Sequence, residues 1–321
     1  MAQGKQTGRA SKPAAQAAAA RTDAPEANAP DGVSSPAAAL APLLPPGLYV
    51  VATPIGNAAD ITLRALDVLK NVDAIACEDS RVTMKLMARH GIGTKLIAYH
   101  EHNAAEMRPK ILAGLRRGSR IALVSDAGTP LVSDPGYKLV RDAIDEGLAV
   151  VPLPGPSAPL AALILSGLPS DRFLFAGFLP PKSAARRAAL GELAAVPATL
   201  IFFESAQRLG ETLADMADVL GARPAAVSRE LTKLYEETRR GDLRDLAEHY
   251  AAAGAPKGEI VVCVGGADAA TQAASAESLD DHLRRALANA SVKDAAALVA
   301  AATGLPRKQV YARALELKTG K

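Results

Sequence analysis

The chain has 321 residues, 49% of them hydrophobic, which is enough to bury a core and suggests about two domains. No stretch of 18 apolar residues occurs, so nothing in the sequence predicts a membrane span. The net charge of +3 excludes a strongly polyanionic or polycationic protein, yet it is uneven: +1 over residues 1–46, −2 over 47–278 and +4 over 279–321. A basic C-terminal segment beside a nearly neutral body points to a polyanionic partner for that segment.

In chain order, residues 1–46 are rich in Ala, Pro, Ser and Gly and contain no uninterrupted apolar core of a signal peptide, so they read as a disordered tail. Cys77 and Cys263 sit in apolar runs without metal or CxxC spacing and read as buried small hydrophobes of a reducing, cytoplasmic compartment. Order begins near Gly47. LYVVA (48–52), AIAC (74–77), KLIAYH (95–100), RIALVS (120–125) and LAVVPLP (148–154) read as strands. Helices fall between them at 62–70, 82–90, about 103–116 and about 137–146. Strands alternating with single helices imply a parallel α/β sheet, whose ligands gather at the carboxyl ends of the strands. Each of the five strands is followed by a polar or Gly/Pro cluster: TPIGN, EDSR, YHEHN, SDAGTP and PGPS.

A second half begins near Pro154. It has strands at 173–180, 199–205, 225–231, 234–241 and 259–266, and helices at 184–195, 207–219 and 243–253. Its strands follow one another more closely, which predicts mixed or antiparallel pairing. Residues 268–278 read as a linker. Residues 279–321 read as three helices with a turn at Gly304-Leu305-Pro306, and Ala300, Gly304 and Val310 fit helix-turn-helix spacing. The organisation expected is therefore a tail over 1–46, α/β subdomains over 47–153 and 154–267 with a cleft between them, and a small basic helical domain over 279–321.

The loop SDAGTPLVSDPGY (125–137) admits several ligands. It lacks the G-x-x-x-x-G-K-[ST] pattern of a phosphate loop, and TPIGN lacks the glycines of a dinucleotide turn. Carboxylates at the strand ends (Glu78, Asp79, Asp126, Asp134) could hold Mg²⁺, with His100 and His102 near, but no metal-binding spacing is present and no metal is expected. The remaining reading is backbone recognition of an uncharged or zwitterionic cofactor, with Gly128 allowing close approach, Pro130 stiffening the loop and Asp126 anchoring loop amides or a ligand ammonium. Asp134 reads as a turn and helix-cap residue.

Seven ordered motifs carry a family resemblance: TPIGNAADIT (53–62), EDSR (78–81), SDAGTPLVSDPGY (125–137), VPLPGPSA (151–158), GLPSDRFLFAGFLPPK (167–182), FFESAQR (202–208) and SRELTKLYEE (228–237). With them the chain resembles the tetrapyrrole methylase superfamily, the class III S-adenosylmethionine methyltransferases, and within it the branch acting on ribosomal RNA. Asp126-Ala127-Gly128-Thr129-Pro130 replaces the G-D-P loop of the corrin and porphyrin enzymes. Ser80 stands where the family has Thr, and Phe203 where Tyr is more usual.

The resemblance implies S-adenosylmethionine as cofactor and methylation of the ribose 2′-hydroxyl of a cytidine in the decoding centre of 16S rRNA, with the small ribosomal subunit as partner and a homodimer as assembly. Its alternatives are a tetrapyrrole methyltransferase of the same fold or a non-catalytic ribosome-binding factor. By analogy the cofactor is cradled by Pro54, Asp126, Ala127, Gly128, Thr129, Pro130, Pro154, Gly155, Pro156 and Ser157, with Phe203, Glu204 and Ser205 closing over it. A ribose hydroxyl is a weak acid and benefits from a base. Glu78 and Asp79 are the first candidates, with Arg81 to hold a flanking phosphate; the same three residues also fit a salt bridge capping the next helix. His100 and His102 are runner-up bases. Lys182, Arg186 and Arg187, and in the C-terminal segment Arg307, Lys308 and Arg313, are the residues expected on RNA.

Overall fold

The computed structural model describes residues 44–268, 279–303 and 305–319. The expected tail up to residue 43, the linker over 269–278 and Gly304 of the last turn lie outside the described residues. Among the described residues no helix is long and apolar enough to cross a membrane.

The first half is a five-stranded parallel sheet of β1 (Gly47–Val51), β2 (Ala74–Cys77), β3 (Leu96–Ala98), β4 (Arg120–Val124) and β5 (Val150–Leu153), in the order β3-β2-β4-β1-β5. Its strands are nearly continuous apolar runs because both faces are covered. Tyr49, Val51, Ile75, Cys77, Ala122 and Val124 pack under α1 (Leu63–Asn71) and α2 (Ser80–Arg89). The alternate residues Leu48, Ala76, Ile121 and Leu123 pack under α3 (Ala104–Arg116) and α4 (Tyr137–Asp145). β1 leads to β2 on one side, and β4 leads to β5 on the other. Neighbouring β1 and β4 therefore send their loops in opposite directions, which opens a crevice between them.

The second half is a mixed sheet of β6 (Phe173–Phe178), β7 (Thr199–Glu204), β8 (Pro224–Arg229), β9 (Glu237–Asp242) and β10 (Ile260–Val264), in the order β6-β7-β10-β8-β9. Only β6 and β7 pair in parallel; the other pairs are antiparallel, as the close strand spacing predicts. One face carries α6 (Ser183–Leu193), α7 (Leu209–Leu220) and α8 (Leu243–Ala253) over Leu200, Phe202, Val227 and Val262. The other face carries α5 (Ala158–Ser166) over Ile201, Ala226, Val261 and Cys263, and also receives Ile55 from the loop after β1. This cluster is the apolar seam joining the halves. The sequence reading did not find α5: APLAALILS is apolar throughout, so it has no polar face to reveal a 3.6-residue period. It buries Ala162 and Leu163 and leaves Leu160 and Ile164 exposed. Both cysteines are fully buried.

The C-terminal helices are α9 (279–287), α10 (Val292–Thr303) and α11 (Arg307–Thr319). They share a core of Leu283, Ala296, Val299, Val310 and Ala314.

Two of the cations expected on RNA are committed internally. Arg186 is 1% exposed: its Nε donates to Asp215 at 2.7 Å and its Nη1 to the Pro181 carbonyl at 3.1 Å, while Ser183 also donates to Asp215. It fastens α6 to α7 and does not reach a phosphate. Arg313 clamps α11 to α9 through two bonds to Asp280, at 2.8 and 2.7 Å, and a third to Glu316 at 2.7 Å. Arg187 is half-exposed but pairs with Asp218 at 2.7 Å and Asp215 at 3.2 Å. Lys182, Arg307 and Lys308 are exposed. Removing one member of a buried ion pair leaves the other charge uncompensated, at a cost of about 3–5 kcal/mol. Asp215 keeps Arg187 and Ser183 as partners, so Arg186→Ala is expected to lower the free energy of unfolding by no more than that while leaving the salt dependence of RNA binding unchanged, which parallel urea titrations and binding isotherms would check.

Candidate functional site

The site forms where the loops leave the carboxyl ends of β1, β4 and β5. The chain after β1 and the chain after β4 meet in an antiparallel bridge: Thr53 N donates to the Gly128 carbonyl at 2.9 Å, and Gly128 N to the Thr53 carbonyl at 3.0 Å. The Thr53 hydroxyl donates to the Ser125 carbonyl at 3.1 Å, and the Ser125 hydroxyl to the Gly128 carbonyl at 3.3 Å. Gly128 has φ +80°, and a Cβ there would sit 3.3 Å from Ile55 Cγ2, so glycine is required by conformation and by space. The Thr129 hydroxyl donates to the Pro156 carbonyl at 3.1 Å, tying the loop after β5 to the same structure. A Cβ on Gly155 would stand 3.0 Å from the Ala52 Cβ, which shows how closely that loop lies on the end of β1.

These loops and the facing edge of the second sheet enclose a cleft of ≈ 730 Å³. Its wall includes Ala127, Gly128, Thr129, Ser157, Phe203, Glu204 and Ser205 of the residues predicted from sequence. Pro54, Asp126, Pro130, Pro154, Gly155 and Pro156 are not in that wall. Asp126 anchors a loop: its Oδ1 accepts from Asp79 N at 3.0 Å. Glu204 is 3% exposed and its carboxylate is taken up by Ser205 N at 2.6 Å, Thr212 at 2.7 Å and Arg208 at 2.6 Å, so that carboxylate is not offered to a ligand.

The EDSR group divides. Asp79 caps α2: its Oδ1 accepts from Arg81 N at 2.8 Å, and the Arg81 guanidinium closes on the same carboxylate at 2.6 Å. Hydrogen bonds from Arg81 hold the Asp79 pKa down at about 2. That suits a cap and makes Asp79 a poor proton acceptor, so the alternative of a capping salt bridge is the one the structure favours for Asp79 and Arg81. Glu78 is partly buried, and burial, then the neighbouring Asp126 charge, raises its pKa, with His100 opposing. His100 Nδ1 is buried with no hydrogen-bond partner among the described residues, and the His100 ring meets His102 edge-on at 6.1 Å.

The residue that the sequence reading misassigned is Asp134. α4 is capped at Gly136 without a side-chain bond, and Asp134 lines the cleft instead. Desolvation raises its pKa to about 6, with the charges of Glu78 and Asp126 adding to the rise and a Ser125 hydrogen bond opposing it. Asp134 is delivered by a loop in which Leu131 and Ser133 hold positive φ values of 75° and 64°. Non-glycine residues adopt that region at a cost, and such costs concentrate at functional sites. The signal in the sequence was spacing: Asp134 lies three residues before the first helical residue, Tyr137, too far for a cap. Among the described residues no group of three or more His, Cys, Asp or Glu is arranged to hold a metal ion.

Residues 47–247 match the family model of Tetrapyrrole (Corrin/Porphyrin) Methylases, and residues 272–318 match that of the RsmI C-terminal HTH domain. The ribosomal RNA small subunit methyltransferase I of Mesorhizobium japonicum is 59% identical over 276 residues, which span 86% of this chain and 93% of the relative. The chain belongs to the ribosomal RNA small subunit methyltransferase I family of tetrapyrrole methylases.

The family's protein from Escherichia coli O157:H7 is 47% identical over 271 residues, covering 84% of this chain and 94% of the relative. The X-ray structure of a cobalt precorrin-4 methyltransferase matches in fold, with a TM-score of 0.52 at 20% identity over 68% of this chain and 94% of that one. Membership in the rRNA methyltransferase I family fits the departure of the Asp126–Pro130 loop from the G-D-P form. Other parts of the cleft wall that the sequence reading passed over are Ile55, Val132, Ser133, Phe178, Leu231 and the turn Ala255–Glu259 before β10. All but the turn lie inside the seven motifs, in four different ones, and only the folded chain shows which residue of each faces the cleft.

An aspartate whose pKa rises on folding is destabilising in its charged form. Its favourable contribution is complete below about pH 4 and is lost as the pH rises through about 6. Asp134→Asn is expected to raise stability at pH 8 by about 2–3 kcal/mol, and by nothing near pH 4, as measured by urea unfolding at the two pH values.

Proposed function

We propose that this chain transfers a methyl group from S-adenosylmethionine to the ribose 2′-hydroxyl of a cytidine in the 16S rRNA of the small ribosomal subunit. The observation that carries the reading is one cleft combining a backbone cradle at a topological switch point with a single wall carboxylate of raised pKa, in a chain 59% identical to a named rRNA methyltransferase.

The residues present fit that cofactor. The cleft is large enough for a molecule of its size. Gly128 permits close backbone approach. When bound, S-adenosylmethionine supplies a methyl group on a sulfonium, already activated for displacement. Ala127, Gly128, Thr129 and Ser157 would hold it from the first half, with Phe203 and Ser205 facing them from the second.

The protein's remaining tasks are alignment and proton removal. Alignment of an attacking oxygen with the methyl carbon is worth several kcal/mol when the bound geometry is near-attack, on the order of 7 or more in favourable cases. For the proton, Asp134 lines the wall, and the charges of Glu78 and Asp126 add to the burial that raises its pKa. A carboxylate of pKa near 6 stays charged at neutral pH and is a stronger base than an ordinary one. Asp134 accepts the ribose proton as the 2′-oxygen is alkylated, and the Glu78 charge adds to its proton affinity. Arg307 and Lys308 at the exposed start of α11, with Lys182 at the start of α6, supply the phosphate contacts. Exposed Leu160 and Ile164 on α5 give an apolar face for a second copy of the chain.

The reading is tested with purified small ribosomal subunits from a strain lacking the enzyme. Mass mapping should show one added ribose methyl on a cytidine; an unchanged map removes the proposal. Asp134→Asn should lower kcat by about 100-fold or more without weakening S-adenosylmethionine binding. Deletion of 279–321 should weaken subunit binding and flatten its salt dependence while sparing cofactor affinity by calorimetry; loss of both would mark those helices as structural.

A further inference from the structure

Phenylalanine is scarce in this chain, five residues in 321, and Trp is absent. Three of the five form a continuous row: Phe175 meets Phe203 edge-on at 4.9 Å, and Phe203 meets Phe178 at 5.5 Å. The row begins in the apolar seam and ends at Phe178, which lines the cleft and is 57% exposed.

A regular strand could not build this row. Phe175 and Phe178 are three residues apart, and alternation would send them to opposite faces of the sheet. The pairing of β6 with β7 shifts between them: Phe175 is opposite Ile201, but Gly177 is opposite Phe202 and Phe178 opposite Phe203. Ala176 is the extra residue of a β-bulge, and Gly177 takes φ +65° to make it. Bulges re-aim side chains beside functional sites. Here the bulge turns Phe178 onto the Phe203 face and into the cleft. It also brings the strand against the loop of the raised-pKa carboxylate, since a Cβ on Gly177 would lie 3.4 Å from Ser133 Oγ, one residue before Asp134.

An exposed ring backed by two others, at the mouth of a cleft and beside a proton acceptor, is a stacking platform. Single-stranded RNA is held by bases splayed onto such rings, and the ring also positions the attached sugar. Building on the function proposed above, we infer that Phe178 stacks on the base of the target nucleotide and sets its ribose beside Asp134. The platform is a positioning element; it touches the base and takes no part in proton transfer.

The test compares Phe178→Leu, which keeps apolar volume and removes the ring, with Phe178→Tyr, which keeps it. An exposed side chain can be exchanged without unfolding the protein, and thermal melts would check this. Loss of one stacked base corresponds to roughly a 5- to 100-fold weakening. Phe178→Leu should raise KM for small ribosomal subunits by that factor, with Phe178→Tyr restoring it and S-adenosylmethionine affinity by calorimetry unchanged in both. An unaltered KM overturns the platform. An equal loss of cofactor affinity overturns it too, by assigning the ring to the cofactor's adenine. Methyl transfer by the wild-type protein is scored separately: if it methylates and Phe178→Leu is silent, only the platform fails, and if it does not methylate, the functional reading falls and takes the platform with it.

Discussion

The bridge between Thr53 and Gly128 is the constraint on which the site depends. Two neighbouring parallel strands send their chains to opposite faces of the sheet, and the gap they leave would otherwise expose unpaired backbone groups. Two reciprocal backbone bonds, at 2.9 and 3.0 Å, close that gap. They fix the height at which the loop 125–130 crosses the sheet end, and Ser125 and Thr129 then tie that loop to its own carbonyls and to the loop after β5. A residue with a side chain at position 128 would be strained at φ +80° and would press on Ile55, which belongs to the seam between the halves. The cradle and the seam are thus specified by one glycine.

The same enclosure sets the electrostatics. Glu78, Asp126 and Asp134 approach one another at the strand ends, where water is partly excluded. Asp126 is engaged by a backbone amide, while Glu78 and Asp134 carry raised proton affinities. Asp79, one residue from Glu78, has the opposite fate because Arg81 and the start of α2 favour its charged form. Adjacent carboxylates are pushed apart in pKa by which side of the helix start they face. A destabilising charge kept in the cleft is the sort of cost that folds carry at functional sites.

Much of this was legible in the sequence. Alternating apolar runs and helices imply the parallel sheet, and the clusters after β1, β4 and β5 lie at the end where the cleft opens. What could not be read was whatever depends on side-chain direction. α5 hid because a uniformly apolar helix has no period. SDPG before a helix resembles a capping sequence, and only the distance from Asp134 to Tyr137 argues otherwise. Charge counting misled most. Arg186 and Arg313 look like RNA ligands in the sequence, yet their carboxylate partners lie 29 and 33 residues away, separations at which no local pattern signals pairing. Glu204 does line the cleft, but the engagement of its carboxylate could not be read, since its partners Thr212 and Arg208 appear only when α7 docks on β7.

The substitution of Phe for Tyr at position 203 follows from the packing. Its ring has Phe175 on one side and Phe178 on the other, and its contribution is contact area in an aromatic row, which a phenyl ring makes as well as a phenol. The ring also lines the cleft, so it belongs both to the seam and to the wall. Ser80 presents the complementary case. It begins α2 directly after the Asp79 cap, where a short hydroxyl side chain is compatible with the first turn whether or not it carries a methyl group. Both departures from the family pattern fall where the physical requirement is met by what the two residue types share: a ring at 203 and a hydroxyl at 80.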